Sequence, residues 1–154
     1  MEAKTKGLDA FFERIFVTKA PYQLPENVRE WIVKYSPWIS LVLVIILLPA
    51  IVAGLGLGAV LGGLSFIGGV STGMFFWFGF ILGVVQLVLL LMALPGLFKR
   101  KLSAWRLIYY SALIAIASSI VTNLGYMTIG SLIWALVWDA VELYFLFQIK
   151  SKYA

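Results

Sequence analysis

The 64 residues from Tyr35 to Phe98 carry no charge. No soluble fold hides an apolar run of that length, and a helix crossing the hydrocarbon core uses only about 20 residues. The run therefore holds two membrane spans and a connection. Composition agrees: the chain of 154 residues is 62% hydrophobic and 12% charged, with a mean hydropathy of +1.00. The expected fold is all-α, an integral membrane four-helix bundle of two antiparallel transmembrane hairpins, preceded by two short amphipathic surface helices. Residues 1–37 form the amphipathic segment and residues 38–154 the membrane domain.

The spans are placed near residues 38–58, 74–94, 104–123 and 128–149. Pro49 is expected to kink the first. Residues 59–73 form either a glycine-rich loop or extensions of the two helices. Pro95-Gly96 is expected to end the second span, and Asn123, Gly125 and Tyr126 to turn the third into the fourth.

Charge sets the orientation. Of the 12 Lys/Arg, six precede span one, four lie in or beside the Lys99–Lys101 connection, and two follow span four. Four crossings put all of them on one side, and basic residues mark the cytoplasmic side. Both termini are expected there, in a plasma or inner membrane. The net charge of +5 is thus a topology signal, and no nucleic-acid partner is expected.

The absence of cysteine and of histidine excludes disulfides, thiolate sites, imidazole-ligated haem or bacteriochlorophyll, and a Ser-His-Asp triad. No cofactor, metal site or catalytic residue is expected.

In the N-terminal segment, Leu8, Phe11, Phe12, Ile15 and Phe16 lie on one helical face. Beyond Ala20-Pro21, Pro25 opens a second pattern of Val28, Trp31, Ile32 and Tyr35. Glu26 and Asn27 suit its first turn, and Glu30 and Lys34 form a favourable i,i+4 pair. Two placements stand equal: on the membrane surface, or packed against the protein's own loops. Neither segment has the apolar core of a signal peptide, so no cleavage is expected, and no myristoylation or prenylation motif is present.

Small residues recur every four positions at Gly54, Gly58 and Gly62, at Gly79 and Gly83, and at Ser111, Ala115 and Ser119. Such stripes let helices approach closely in lipid. Packing within the chain is the preferred reading, and a homodimer interface the sharper one. The glycine run lacks the lysine and serine of a phosphate loop.

Asp139 and Glu142 are the only acids in any span, and their spacing puts them on one helical face. Helix rise places Glu142 roughly 10 Å and Asp139 roughly 15 Å deep, with Gln86 about 12 Å from the same end of span two. Arg106 enters span three from that end. Gln86, Arg106, Asp139 and Glu142 are thus the candidate intramembrane polar cluster, structural or ion-binding. A charge at mid-membrane costs about 2.5–3.5 kcal/mol, so each needs a reason. Three compete: Glu142 pairs with Arg106, Asp139 sits as a neutral acid, or the acids line a proton or cation path.

Trp38, Trp105 and Tyr153 fall where interfacial aromatics are expected, and Met74–Phe78 opens span two at the far surface. Trp134 and Trp138 lie one turn apart beside Glu142, expected in bundle packing, with a cation-binding pocket the alternative. The tail Lys150-Ser151-Lys152-Tyr153-Ala154 resembles the K-x-K-x-x endoplasmic-reticulum retrieval signal, although orientation and the helix dipole also favour lysines there.

Size and acid placement resemble the small multidrug transporters, whose essential acid lies in the first span, where this chain has none. The layout of surface helices and two hydrophobic hairpins is similar to reticulon-like membrane-shaping proteins. The expected function is non-catalytic: a scaffold, accessory subunit or membrane-shaping element. The alternative is a small proton- or cation-coupled transporter or channel, oligomeric, using Asp139 and Glu142. Expected partners are the bilayer and either a second copy or a larger membrane complex.

Overall fold

A computed structural model describes residues 7–20, 22–125 and 129–154. The described residues are helical, with no strand. The segment α1 (Leu8–Glu13) loosens into π-helical turns over Arg14–Thr18, where the Lys19 amide donates to the Arg14 carbonyl at 2.8 Å. Four long helices follow: α2 (Glu26–Ser65), α3 (Val70–Phe98), α4 (Leu102–Gly125) and α5 (Ile129–Ile149). All four are long and apolar enough to cross a membrane. Tyr126 of the expected third turn lies outside the described residues.

The second amphipathic segment is not a separate helix. It forms the first turns of α2, which then runs unbroken through Pro37 and Pro49. Pro25 starts it, with an extended backbone and a carbonyl that accepts from the Val28 and Arg29 amides. At Pro37 the missing N–H would orphan the Val33 carbonyl. The Ser36 hydroxyl donates to it instead, at 3.4 Å.

Residues 59–73 are mostly helix extension. The reversal is confined to Phe66–Gly68 and Gly69, whose φ of 113° suits a residue without a Cβ. Likewise α3 does not stop at Pro95-Gly96 but continues to Phe98. It ends in a Schellman motif: the Lys101 amide donates to Gly96 O at 2.8 Å and the Arg100 amide to Leu97 O at 3.1 Å. Arg100 takes the left-handed conformation, φ 51°, that glycine normally fills. Its surroundings hold it there. The Ala154 amide donates to its carbonyl, Leu102 N donates to Ala154 O, and its guanidinium reaches Glu30.

Helix α3 packs mainly on α4 and then on α2, while α4 also packs on α5; α2 and α5 meet over a smaller contact. The N-terminal segment, the α3–α4 connection and residues 150–154 meet at one end, here called the basic end. Lys150 pairs with Glu13, Lys152 with Glu26 and Glu30, and Arg100 with Glu30. Glu30 thus reaches across to other elements rather than to Lys34, whose ammonium lies over the Tyr35 ring.

The main core also sits at this end. Trp105, Tyr109 and Phe147 are buried with Val33, Leu97 and Leu143. Phe12 and Phe16 stack on each other and meet Phe147, and Phe12 also meets Tyr109. This decides between the two placements of the N-terminal segment for those rings: they pack on the protein. Phe11 and Ile15 face away, exposed. Far from the basic end the helices leave their apolar side chains outside, with Ile67 81% and Ile129 70% exposed.

Trp105 and Tyr153 are not interfacial anchors. Trp105 is 2% exposed, and its indole Nε1 donates to Leu146 O at 2.8 Å. Tyr153 is buried beside Ser36, with the two hydroxyls 3.4 Å apart. Burial pushes its phenol above the ordinary range, so it stays neutral.

The glycine stripe of α2 faces α3. Gly54 and Gly58 lie against Phe80, and a Cβ at Gly62 would stand 2.5 Å from the Trp77 indole. Gly62→Leu is expected to cost about 1–3 kcal/mol, as overpacking does. Gly63→Leu, in open space, is expected to be near neutral. Thermal unfolding of both variants in one detergent checks the contrast.

Candidate functional site

Asp139 and Glu142 project from the same side of α5, three residues apart. Asp139 is half-buried towards Ser119 of α4. One of its carboxylate oxygens is shielded from solvent and has no hydrogen-bond partner. Glu142 is exposed on the outer surface of the helices, with Asp139 as its nearby charge.

The expected pair between Arg106 and Glu142 does not form. No ion pair among the described residues includes either. Arg106 is itself exposed. Its neighbour Trp105 faces the core and bonds the carbonyl of Leu146, and one residue further along an α-helix is a rotation of about 100°. That rotation carries Arg106 out of the α4–α5 contact. Gln86 is half-buried on α3, which makes no extended contact with α5. Of the four candidates, only Asp139 and Glu142 are brought together.

The other stripes differ in use. Gly79 and Gly83 face open space. Ser111, Ala115 and Ser119 are half-buried on α4, with Ser119 towards Asp139. Trp134 and Trp138 do not pack between helices. They are 65% and 59% exposed and meet edge to face at 6.2 Å. With Val141, Glu142 and Phe145 they form an outer face of α5 that is aromatic and apolar apart from its acid.

The basic end holds a second polar assembly, centred on Gln148. This residue is 2% exposed. Its Oε1 accepts from Arg29 at 3.0 Å, and its Nε2 donates to the Phe16 carbonyl at 2.8 Å. One turn earlier, the Tyr144 hydroxyl donates to the Tyr22 carbonyl at 2.8 Å. Both side chains on α5 therefore hold the N-terminal segment, and Gln148 also holds α2. The sequence signal was present but faint: Tyr144 and Gln148 are i,i+4 polar groups on an otherwise apolar last stretch. Lys150 and Lys152 of the retrieval-like tail are occupied here by Glu13, Glu26 and Glu30.

No family model, no curated protein and no solved structure matches this chain.

Proposed function

We propose that the protein is a non-catalytic membrane subunit that self-assembles through the outer faces of α4 and α5. In this reading the helices form an antiparallel four-helix bundle of two hairpins. The basic end lies in the cytoplasm of a plasma or inner membrane, as the distribution of basic residues favours.

One observation carries the reading. Glu142 and Arg106 are opposite charges, both exposed on the helix surface, and neither has an ion-pair partner among the described residues. Charges facing lipid are costly, and pairing removes much of the cost. The levels match: the Trp105–Leu146 bond sets Arg106 about one turn from Glu142 along the bundle, within reach of an arginine side chain. A second copy supplies each charge with its complement, Arg106 to Glu142 and Glu142 to Arg106, as a two-fold interface requires. Trp134 and Trp138 add aromatic surface to the same face. A transporter built on these acids would draw its path from more than one copy, because Glu142 is exposed on the helix surface.

Subunit counting in dilute liposomes tests the proposal. Wild type is expected as dimers. Glu142→Gln or Arg106→Gln is expected to weaken dimerisation about tenfold, the effect of about 1.4 kcal/mol. The exchange of both charges, Arg106→Glu with Glu142→Arg, is expected to restore it. Monomeric wild type, or single variants that dimerise unchanged, contradicts the reading. Proton or cation flux in wild type that Asp139→Asn abolishes would favour the transporter instead.

A further inference from the structure

Beside Gln148 a cavity of about 380 Å³ opens between the N-terminal segment, α2, α5 and residues 150–153; Glu13, Arg29, Gln148, Lys150 and Ser151 are among its lining. Its volume falls within the roughly 300–1,000 Å³ of small-ligand sites. Charge is unbalanced there. Lys150 is answered by Glu13 at 2.6 Å. Among the described residues Arg29 has no carboxylate partner: its Nη2 reaches the neutral amides of Gln148 and Gln23. Glu26, one turn before it, feels its charge but is taken by Lys152. The Arg29 Nε is shielded from solvent and has no hydrogen-bond partner among the described residues.

A partly buried guanidinium with an idle donor and, among the described residues, no carboxylate partner is an incomplete site. Guanidinium, ammonium and hydroxyl donors around one cavity suit a phosphate ester. The cavity also lies at the basic end, where the bilayer places lipid phosphates, and basic pockets between transmembrane helices bind such headgroups. We propose that this cavity binds the phosphate of an anionic phospholipid, with Arg29 as its principal ligand and Lys150 and Ser151 at its rim. The inference depends on membrane embedding and is independent of assembly through α5.

The test uses the full chain in an uncharged detergent, with thermal unfolding followed as lipid is added. Phosphatidylglycerol is expected to raise the unfolding temperature saturably, and phosphatidylcholine to leave it unchanged. Arg29→Gln is expected to weaken the apparent affinity about tenfold, as losing a charge-assisted hydrogen bond does. Lys99→Gln removes the same charge from an exposed site outside the cavity, and is expected to keep the wild-type response. Ser151→Asp, also at an exposed position, puts a negative charge at the cavity and is expected to abolish it, which keeps the test decisive if Arg29→Gln fails to fold. Equal responses in wild type and Ser151→Asp would overturn the site. A loss in Lys99→Gln matching that in Arg29→Gln would reduce it to general surface attraction and overturn it too. Protection by inorganic phosphate equal to that by phosphatidylglycerol would overturn the lipid as the source.

Discussion

Trp105→Ala is expected to destabilise the protein by about 3–5 kcal/mol, the range for removing a large aromatic from a packed core. The ring is stacked on Tyr109, meets Phe147 edge to face and lies under the Lys150 ammonium at 5.3 Å. Its N–H also ties α4 to the Leu146 carbonyl of α5. Trp105→Phe keeps most of the packing and loses the hydrogen bond, so a smaller loss of about 1 kcal/mol is expected. Thermal or denaturant unfolding in a single detergent ranks the two. If the alanine variant is as stable as wild type, this end is not the core.

The second large effect is at Gln148. Gln148→Leu keeps the bulk and removes the acceptor for Arg29 and the donor to the Phe16 carbonyl. The expected cost is about 1.5–3 kcal/mol, the range for a hydrogen bond to a charged group. It is expected to appear locally, as release of the N-terminal segment before the long helices unfold. Limited proteolysis reads this directly: cutting between Arg14 and Arg29 is expected to accelerate in the variant while the apolar helices stay intact. Unchanged cutting would mean that the aromatic packing of Phe12 and Phe16 holds the segment without Gln148.

The four long helices were legible because hydropathy and charge placement need only composition along the chain. Which face of each helix points inward was not. In lipid both faces of a helix are apolar, so periodicity no longer separates core from surface. That is why Trp105 and Tyr153 read as interfacial anchors yet are buried, while Trp134 and Trp138 read as packing residues yet face outward. The helix ends were misjudged for a related reason. Pro95 reads as a break, but a helix tolerates proline where side chains or neighbouring groups satisfy the freed carbonyls, as Ser36 does for Val33 at Pro37.

The polar candidates separate along the same line. Asp139 and Glu142 lie on one helix, so their shared face follows from spacing alone. Joining them to Arg106 or Gln86 required the rotation of two other helices about their axes, which depth counts do not contain. Gln148 was missed because its partners, Arg29 and the Phe16 carbonyl, come from segments more than a hundred residues earlier.

Assembly through Arg106 and Glu142 can be probed without background, because the chain has no cysteine. Arg106→Cys chains and Glu142→Cys chains are reconstituted separately and as a mixture, then treated with a short thiol-reactive cross-linker. In a mixed dimer the two cysteines face each other across one half of the interface, and the native Arg106–Glu142 pair remains in the other half. Cross-linked dimers are expected in the mixture at well above the yield of either variant alone. Monomers throughout, or equal yields in all three samples, would contradict it.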